Sequence, residues 1–295
     1  MDHETPGRPG DDRDEIGAAA ARWKADLDSW AIPDEILRKA PESPWAYSAR
    51  LFAKAAAAAV AQTELSPSAL RALEALGEGG DVLDVGAGGG AASLPLAPPA
   101  SLLVAVDEHE GMLASFAEAA SERSVRHREI LGRWPDVSGD VPAADVVVCH
   151  HVLYNVGDVV PFLRALNEHA RRRVVVELTA THPLSNLSPL WLSIHGLVRP
   201  TRPTASDAAA VMSELGFEVH IDHYERPSSW RDESLADRVG EARRRLCVGA
   251  DRDEEIAAYF GGAGVGGGAA EETRALATLW WDKRDGALLD RRSAP

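Results

Sequence analysis

The stretch from Val82 to Ala97, VLDVGAGGGAASLPLA, decides how this chain is read. It opens as a short apolar run interrupted by one acid, Asp84, and then reaches Gly86, Gly88 and Gly90. A short apolar run closed by a glycine turn reads as a strand covered on both faces. Glycines lack a Cβ, so the backbone turns sharply there and lets a ligand come close. The text after the glycines predicts a helix. A second run, LLVAVD, ends at Asp107, 21 residues beyond Gly86. A carboxylate at that distance is placed to accept hydrogen bonds from the ribose hydroxyls of an adenine nucleoside.

Working outward, DVVVCH from Asp145 and RVVVEL from Arg173 are two more continuous apolar runs. Helical text fills the gaps, including Gly111 to Arg123 and Val159 to Ala170. Strand and helix in alternation predict a doubly wound α/β sheet. Thr204 and Asp207 form a capping box ahead of AAAVMSELG, which Gly216 closes. FEVHIDHY then reads as a strand, Asp232 to Tyr259 as polar helical text, GGAGVGGGAA as a flexible loop, and ALATLWWD as a last strand. No GK[ST] follows that glycine run, so it is not a phosphate loop.

Upstream, Ile16 to Ala75 reads as helices, with Trp23, Leu27 and Trp30 at helical spacing and RLFAKAAAAAVAQ rich in helix formers. Pro33, Pro41 and Pro44 break the region. Ser66 caps a further helix, with Pro67 first and Gly77 at its end. The expected organisation is an acidic, disordered leader over 1–15, a helical lid or cap over 16–78, and the main domain over 79–295 with a helical insertion at about 229–270.

The 295 residues are 45% apolar and 26% charged, ordinary for a globular protein. No apolar run approaches the roughly 20 residues of a membrane span, and residues 1–17 are acidic where a signal peptide is basic. The expectation is a cytoplasmic protein with no membrane partner. A formal net charge of -15 disfavours nucleic acid. Arg171, Arg172 and Arg173 are the obvious basic cluster, read as the basic end of a helix. Cys149 and Cys247 make neither a disulfide framework nor a thiolate metal site.

GAGGGA also satisfies the dinucleotide fingerprint, so an NAD-dependent oxidoreductase stays open as an alternative. Asp84 argues against it, because a negative charge just ahead of the first glycine is misplaced beside a pyrophosphate and well placed beside an ammonium or sulfonium. No second glycine turn of a dinucleotide fold follows. At these residues the chain resembles the class I, Rossmann-like S-adenosylmethionine-dependent methyltransferases. LDVGAGGG looks like their first motif, with Asp84 as the acid and Gly86, Ala87, Gly88 and Gly90 around the methionine end of the cofactor. VAVDEHEGML looks like the second, which puts Asp107 and Glu108 at the ribose, with Met112 against the adenine or filling the core. HREILGRWPD lacks the family's common Gly-Asp pair, and Leu131 and Gly132 stand at the adenine position. ADVVVCHHVLYNV looks like the fourth motif, with Cys149, His150 and His151 at the strand mouth. The resemblance implies a three-layer α/β/α sandwich on a seven-stranded mixed sheet of order 3-2-1-4-5-7-6, plus the N-terminal helical region. It implies S-adenosyl-L-methionine as cofactor.

Methyl transfer needs an aligned acceptor and, for a hydroxyl or ammonium, removal of a proton. His150 is the first candidate base, with His151 and Tyr154 beside it. Glu177, Thr179, His182, Trp191 and His195 form a second cluster in and after RVVVEL. THPLSNLSPLWLSIHGLVRP is apolar for an exposed loop and suggests a cap over the pocket. The histidine spacing makes no zinc signature, and no metal is expected. NPPY, the family's mark of transfer to an amide or base nitrogen, is missing. The expected partner is therefore a small organic acceptor methylated on oxygen, nitrogen or carbon. RNA, protein or a non-catalytic cofactor-binding role are the alternatives, and an apolar face on the leader helices would also suit a homodimer.

Overall fold

The structure, a computed structural model, describes residues 17–45, 56–60, 64–228, 233–262 and 273–283. The expected disordered leader and most of the glycine-rich loop lie outside the described residues. Helices among the described residues include α1 (Ala18–Asp28), α2 (Asp34–Leu37), α3 (Pro67–Leu76), α4 (Glu110–Glu122), α5 (Val159–His169), α6 (Ser188–His195), α7 (Ala205–Glu214), α8 (Leu235–Arg245) and α9 (Asp253–Phe260). The strands are β1 (Gly80–Val85), β2 (Ala100–Asp107), β3 (His127–Leu131), β4 (Ala144–His150), β5 (Ala170–Thr179), β6 (His220–Pro227) and β7 (Thr273–Asp282). They form one seven-stranded sheet in the expected order 3-2-1-4-5-7-6. β1 to β5 run parallel, and β7 lies antiparallel between β5 and β6.

Alternation along each strand splits the apolar residues between two layers. Val82, Leu103, Ala105, Val146, Val148 and Val175 pack beneath α3 and α4, through Ala72, Leu76, Leu113 and Phe116. Leu83, Val85, Val104, Val147, Val174 and Val176 face the opposite layer, where Trp23 of α1, Phe162 and Leu166 of α5, and Val211 and Met212 of α7 cover them. The result is a three-layer sandwich whose strand interiors are closed to water on both sides.

Local signals place the layers. Ser66 Oγ accepts the Ala69 amide at 3.1 Å, Pro67 opens α3, and Gly77 ends it at φ 58°. Thr204 and Asp207 cap α7 reciprocally, the Thr204 amide donating to the Asp207 carboxylate at 2.8 Å.

Three sequence expectations change. The glycine turn does not open an α-helix: after Gly90 there are turns and one 3-10 turn at Leu94–Leu96. Pro95, Pro98 and Pro99 remove the amides that a helix there would use, and β2 starts at Ala100. The arginine cluster is not a helix end. α5 stops at His169, and Ala170 already belongs to β5, so the arginines open a strand. There Arg172 pairs with Asp145 at 3.2 Å, and Arg173 pairs with Asp282 at 2.7 Å and Glu74 at 3.1 Å. β6 begins at His220 rather than Phe217, because Phe217 stacks on Trp281 at 4.9 Å as part of the core.

The N-terminal helices are docked rather than loose. The Gly17 and Ala19 amides, which α1 cannot satisfy itself, donate to the Glu214 carboxylate at 3.2 and 2.9 Å. Trp23 is fully buried, and its indole N–H donates to the Val156 carbonyl at 2.9 Å. The Trp30 indole donates to the Arg202 carbonyl at 2.6 Å, and its ring stacks on His182 with centroids 3.8 Å apart. Beyond it, Ile32 joins α6, α8 and α9 in a third apolar cluster with Leu187, Trp191, Leu246, Ile256 and Phe260. The helices α8 and α9 leave and rejoin the sheet between Pro227 and Thr273, which are paired neighbours beyond the Thr179 end of β5. This cluster therefore rises from the carboxyl edge of the parallel strands.

Trp23→Ala is expected to lower the unfolding free energy by about 3–5 kcal/mol, the cost of emptying a buried aromatic site. Urea titration followed by circular dichroism would register it as a lower midpoint. A change below about 1 kcal/mol would show that α1 adds nothing to the fold.

Candidate functional site

In an open α/β sheet, ligands bind beyond the carboxyl ends of the strands where the strand order reverses. Here that point lies between β1 and β4, since β1 continues to β2 and β3 on one side while β4 leads to β5 on the other. The glycine turn follows β1 there. Gly86, Gly88 and Gly90 all have positive φ, at 71°, 52° and 87°. A Cβ on Gly86 would stand 2.4 Å from Val152 Cγ2, and one on Gly90 would stand 2.7 Å from the Phe116 ring. Both positions thus need glycine for conformation and for space. Ala87 between them is buried, and its amide and that of Gly86 donate to the Val106 carbonyl of β2.

Asp107 closes the loop from the neighbouring strand. One carboxylate oxygen accepts the Gly88 amide at 2.9 Å and the other accepts the His109 amide at 2.9 Å. The latter oxygen also lies 3.3 Å from His109 Nδ1, while the oxygen on Gly88 keeps a lone pair for a further donor. The next residue, Glu108, is exposed, and Met112 is buried on the first turn of α4. Leu131, paired with Asp107 across β3, is largely exposed, and the Gly132 amide donates to the Asp107 carbonyl at 2.9 Å. Leu131 thus presents an exposed apolar surface at the strand end beside Asp107.

Asp84 is buried and only half satisfied. It is 1% exposed, Oδ2 accepts the Ser93 hydroxyl at 2.6 Å, and Oδ1 has no partner. Burial, aided by the charge of Asp107, pushes its carboxyl up to about 7. A buried oxygen left without a donor costs on the order of 1–3 kcal/mol. A cationic or N–H-bearing ligand group at the glycine turn relieves that cost. The residues therefore fit the methionine end and ribose of S-adenosylmethionine. Ser93, which holds the acid, was not singled out from the sequence; a hydroxyl nine residues after a buried acid carries no signal by itself.

At the mouth of β4 the two histidines diverge. His150 shares the sheet face of Asp84; burial holds it neutral, down to about 4, and its Nε2 has no partner. His151, at φ 60°, has a half-exposed side chain whose Nε2 lies 3.1 Å from Glu177 Oε1. Cys149 turns its thiol into the opposite layer, with Leu83 and Val147. Tyr154 is buried between Trp23 and His182, and its hydroxyl donates to the Thr179 carbonyl at 2.8 Å. That bond and the burial, which raises the phenol's pKa, commit its proton to the backbone. In the second cluster, burial holds His182 neutral, down to about 3, while Trp191 lies in the third apolar cluster and His195 contacts the Leu246 carbonyl at 2.7 Å. Glu177, Thr179, Tyr154 and His182 are thus gathered at the edge; Trp191 and His195 belong to the helices above it.

Residues 83–175, from inside β1 to inside β5, match a family model described as a methyltransferase domain. The ubiquinone biosynthesis O-methyltransferase of Rickettsia akari is 30% identical over 91 residues, which are 31% of this chain and 36% of that protein. An uncharacterised protein of Haemophilus influenzae is 33% identical over 103 residues, 34% of this chain and 38% of that protein. The chain thus spans little more than a third of the length of the curated relatives it matches. Among solved structures, magnesium protoporphyrin IX methyltransferase from Synechocystis with bound SAH aligns at a TM-score of 0.45 and 16% identity, covering 90% of this chain and 97% of that one. The YcgJ protein of Bacillus subtilis aligns at 0.48 and 17% identity, covering 74% and 99%. The methyltransferase-domain match runs through the strands that carry the glycine turn, Asp107 and the two histidines, within a sheet of order 3-2-1-4-5-7-6.

Proposed function

We propose that the protein transfers a methyl group from S-adenosylmethionine to a small organic acceptor. One observation carries the choice of nucleoside: the glycine turn meets a buried, half-satisfied acid, Asp84, and no α-helix follows it. A pyrophosphate needs the opposite arrangement, with amides at a helix N-terminus and no nearby negative charge. The NAD reading therefore loses both of its supports, while a sulfonium or ammonium gains a counter-charge.

In this reading Asp107 and Glu108 bind the ribose, Leu131, Gly132 and Met112 border the adenine, and Asp84, Gly86, Ala87, Gly88 and Gly90 surround the methionine end. Cys149 contributes backbone at the strand mouth, and His150 borders the reacting centre as a neutral group. When bound, the donor supplies a methyl carbon already activated by a positive sulfur. What remains for the chain is to hold the acceptor in line, to exclude water and to receive a proton. The helices α6, α8 and α9, with Trp30 and Ile32 of the N-terminal region, stand at the carboxyl edge as the cap of the acceptor pocket. A net charge of -15 favours a small acceptor over RNA. A cytoplasmic setting belongs to the same proposal, and a homodimer remains compatible with it. Among the described residues, no helix is long and apolar enough to cross a membrane.

Calorimetric titration with S-adenosylmethionine is expected to show one saturable site, and Asp107→Ala is expected to weaken it roughly tenfold to a hundredfold, the worth of hydrogen bonds to a charged group. NAD titrated in parallel should give no saturable heat; tight NAD binding would reverse the assignment.

Asp84 sets a pH dependence of definite sign. Its folded pKa, about 7, lies above the ordinary carboxylate value, so the folded state holds a proton that the unfolded state has already lost. Stability of the ligand-free protein should therefore decline as pH rises from about 4 to about 7, and Asp84→Asn should flatten that decline in thermal melts. Binding of the cationic donor should instead strengthen with pH, by roughly tenfold between pH 6 and pH 8. Donor affinity independent of pH across that window would remove Asp84 from the site.

A further inference from the structure

One positive charge in the cap has no acid to meet. Arg199 stands between Gly196, which ends α6, and Thr204, which caps α7, and it is only 6% exposed. Its Nη1 donates to the Ala31 carbonyl at 3.3 Å and its Nη2 to the Trp30 carbonyl. Those bonds use two of the guanidinium's five N–H groups. Nε is buried and has no acceptor. Cζ lies over the rings of Trp30 and Trp191, at 5.1 and 4.9 Å. Ring faces and carbonyl dipoles ease a buried charge without neutralising it.

Three other well-covered arginines show what is missing. Arg173 meets Glu74 and Asp282, while Arg244 and Arg245 both meet Glu241. Among the described residues no carboxylate pairs with Arg199. The chain holds 46 Asp and Glu against 31 Lys and Arg, so a shortage of acids is not the reason. Burial lowers the affinity of Arg199 for its proton; the neighbour that opposes this is Cys247, which its own burial keeps as a thiol. The unpaired charge also connects with the donor site. Trp30 stacks on His182 at 3.8 Å, and the His182 ring lies 5.3 Å from that of Tyr154, just beyond the mouth of β4. Residues 196–203 form neither helix nor strand, so the segment carrying Arg199 can shift to admit a ligand without breaking a ladder of backbone bonds.

We propose that Arg199 anchors a carboxylate of the acceptor, so that the molecule methylated is an aromatic acid held through its carboxylate and methylated at another atom. This rests on the methyl-donor reading above. A carboxylate can take Nε–H together with a free N–H of the same planar group, the paired geometry in which guanidinium and carboxylate bind best. The indoles of Trp30 and Trp191 beside the charge offer flat apolar surface to the ring that carries the acid. The carboxylate is the handle and not the nucleophile, because its lone pairs are committed to the guanidinium.

NMR of the full chain in the presence of S-adenosylhomocysteine tests this, by following the arginine Nε–H resonances while benzoate is added. Arg199→Met assigns the Arg199 signal by its loss, and Arg199→Lys does so if the Met variant does not fold. Benzoate should move that signal saturably, whereas benzamide, which has the ring without the charge, should leave it in place. Calorimetry should find benzoate bound about tenfold or more weakly by Arg199→Lys, which keeps a charge and loses the planar fork. A signal that benzoate leaves still, that benzamide moves equally, or that only inorganic phosphate moves overturns the proposal. Titration of the same protein with S-adenosylhomocysteine separates the two readings. Saturable donor-site heat with an unmoved Arg199 signal sinks only the carboxylate anchor. No donor-site heat removes the methyl-donor reading, and with it the assignment of Arg199 to a methyl acceptor.

Discussion

Covering both faces of the parallel sheet with helices leaves its ends as the places where polar chemistry can stand. Every interior position of β1, β4 and β5 is apolar until the strands approach their carboxyl ends, where Asp84, His150 and Glu177 appear on one face. Side-chain alternation makes this a strict condition. A slip of one residue in β1 would send Asp84 into the layer built around Trp23 and Phe162, and Leu83 toward the ligand edge. The same constraint explains why the acids are strained. Asp84 and Glu177 lie within an interior that offers few donors, and each is held by hydroxyls brought from elsewhere, Ser93 for one and Ser68 and Tyr224 for the other.

The two acids resolve that strain in opposite ways. Glu177 accepts from Ser68, Tyr224 and His151 and stays ionised. Asp84 is held by Ser93 alone and keeps an orphan oxygen, and burial raises its affinity for a proton. Above this edge the N-terminal region is pinned through backbone carbonyls: Trp23 to Val156, Trp30 to Arg202, and the buried Arg199 to Trp30 and Ala31. Arg199 also lies over the rings of Trp30 and Trp191, at 5.1 and 4.9 Å, tying the N-terminal region to α6.

Much of this was legible in the sequence because it depends on local pattern. The strand runs, the Ser66 and Thr204 caps and the spacing of Asp107 from the glycines follow from periodicity and turn chemistry, whereas the antiparallel pairing of the last two strands was implied by the family resemblance. The helix expected after Gly90 failed because its prolines lie beyond the glycines, and the fingerprint was weighed without them. The arginine cluster was misplaced because α5 passes into β5 without a loop. Glu177 was visible as an acid in an apolar run, but its partners were not. Ser68, Tyr224 and Thr278, which fix it, lie up to 210 residues apart, and only the sheet order brings them together. Tyr154 looked reactive from its neighbours in sequence, whereas its hydroxyl is bound to a carbonyl of β5.

A crystal structure with S-adenosylhomocysteine bound would be the most direct measurement. The ribose should lie on Asp107, the adenine against Leu131, and the amino acid end at Gly86 to Gly90 with a donor on Asp84 Oδ1. Ligand bound anywhere other than the carboxyl edge of β1 and β4, or an Asp84 oxygen left unpaired beneath it, would contradict the cradle described for this chain.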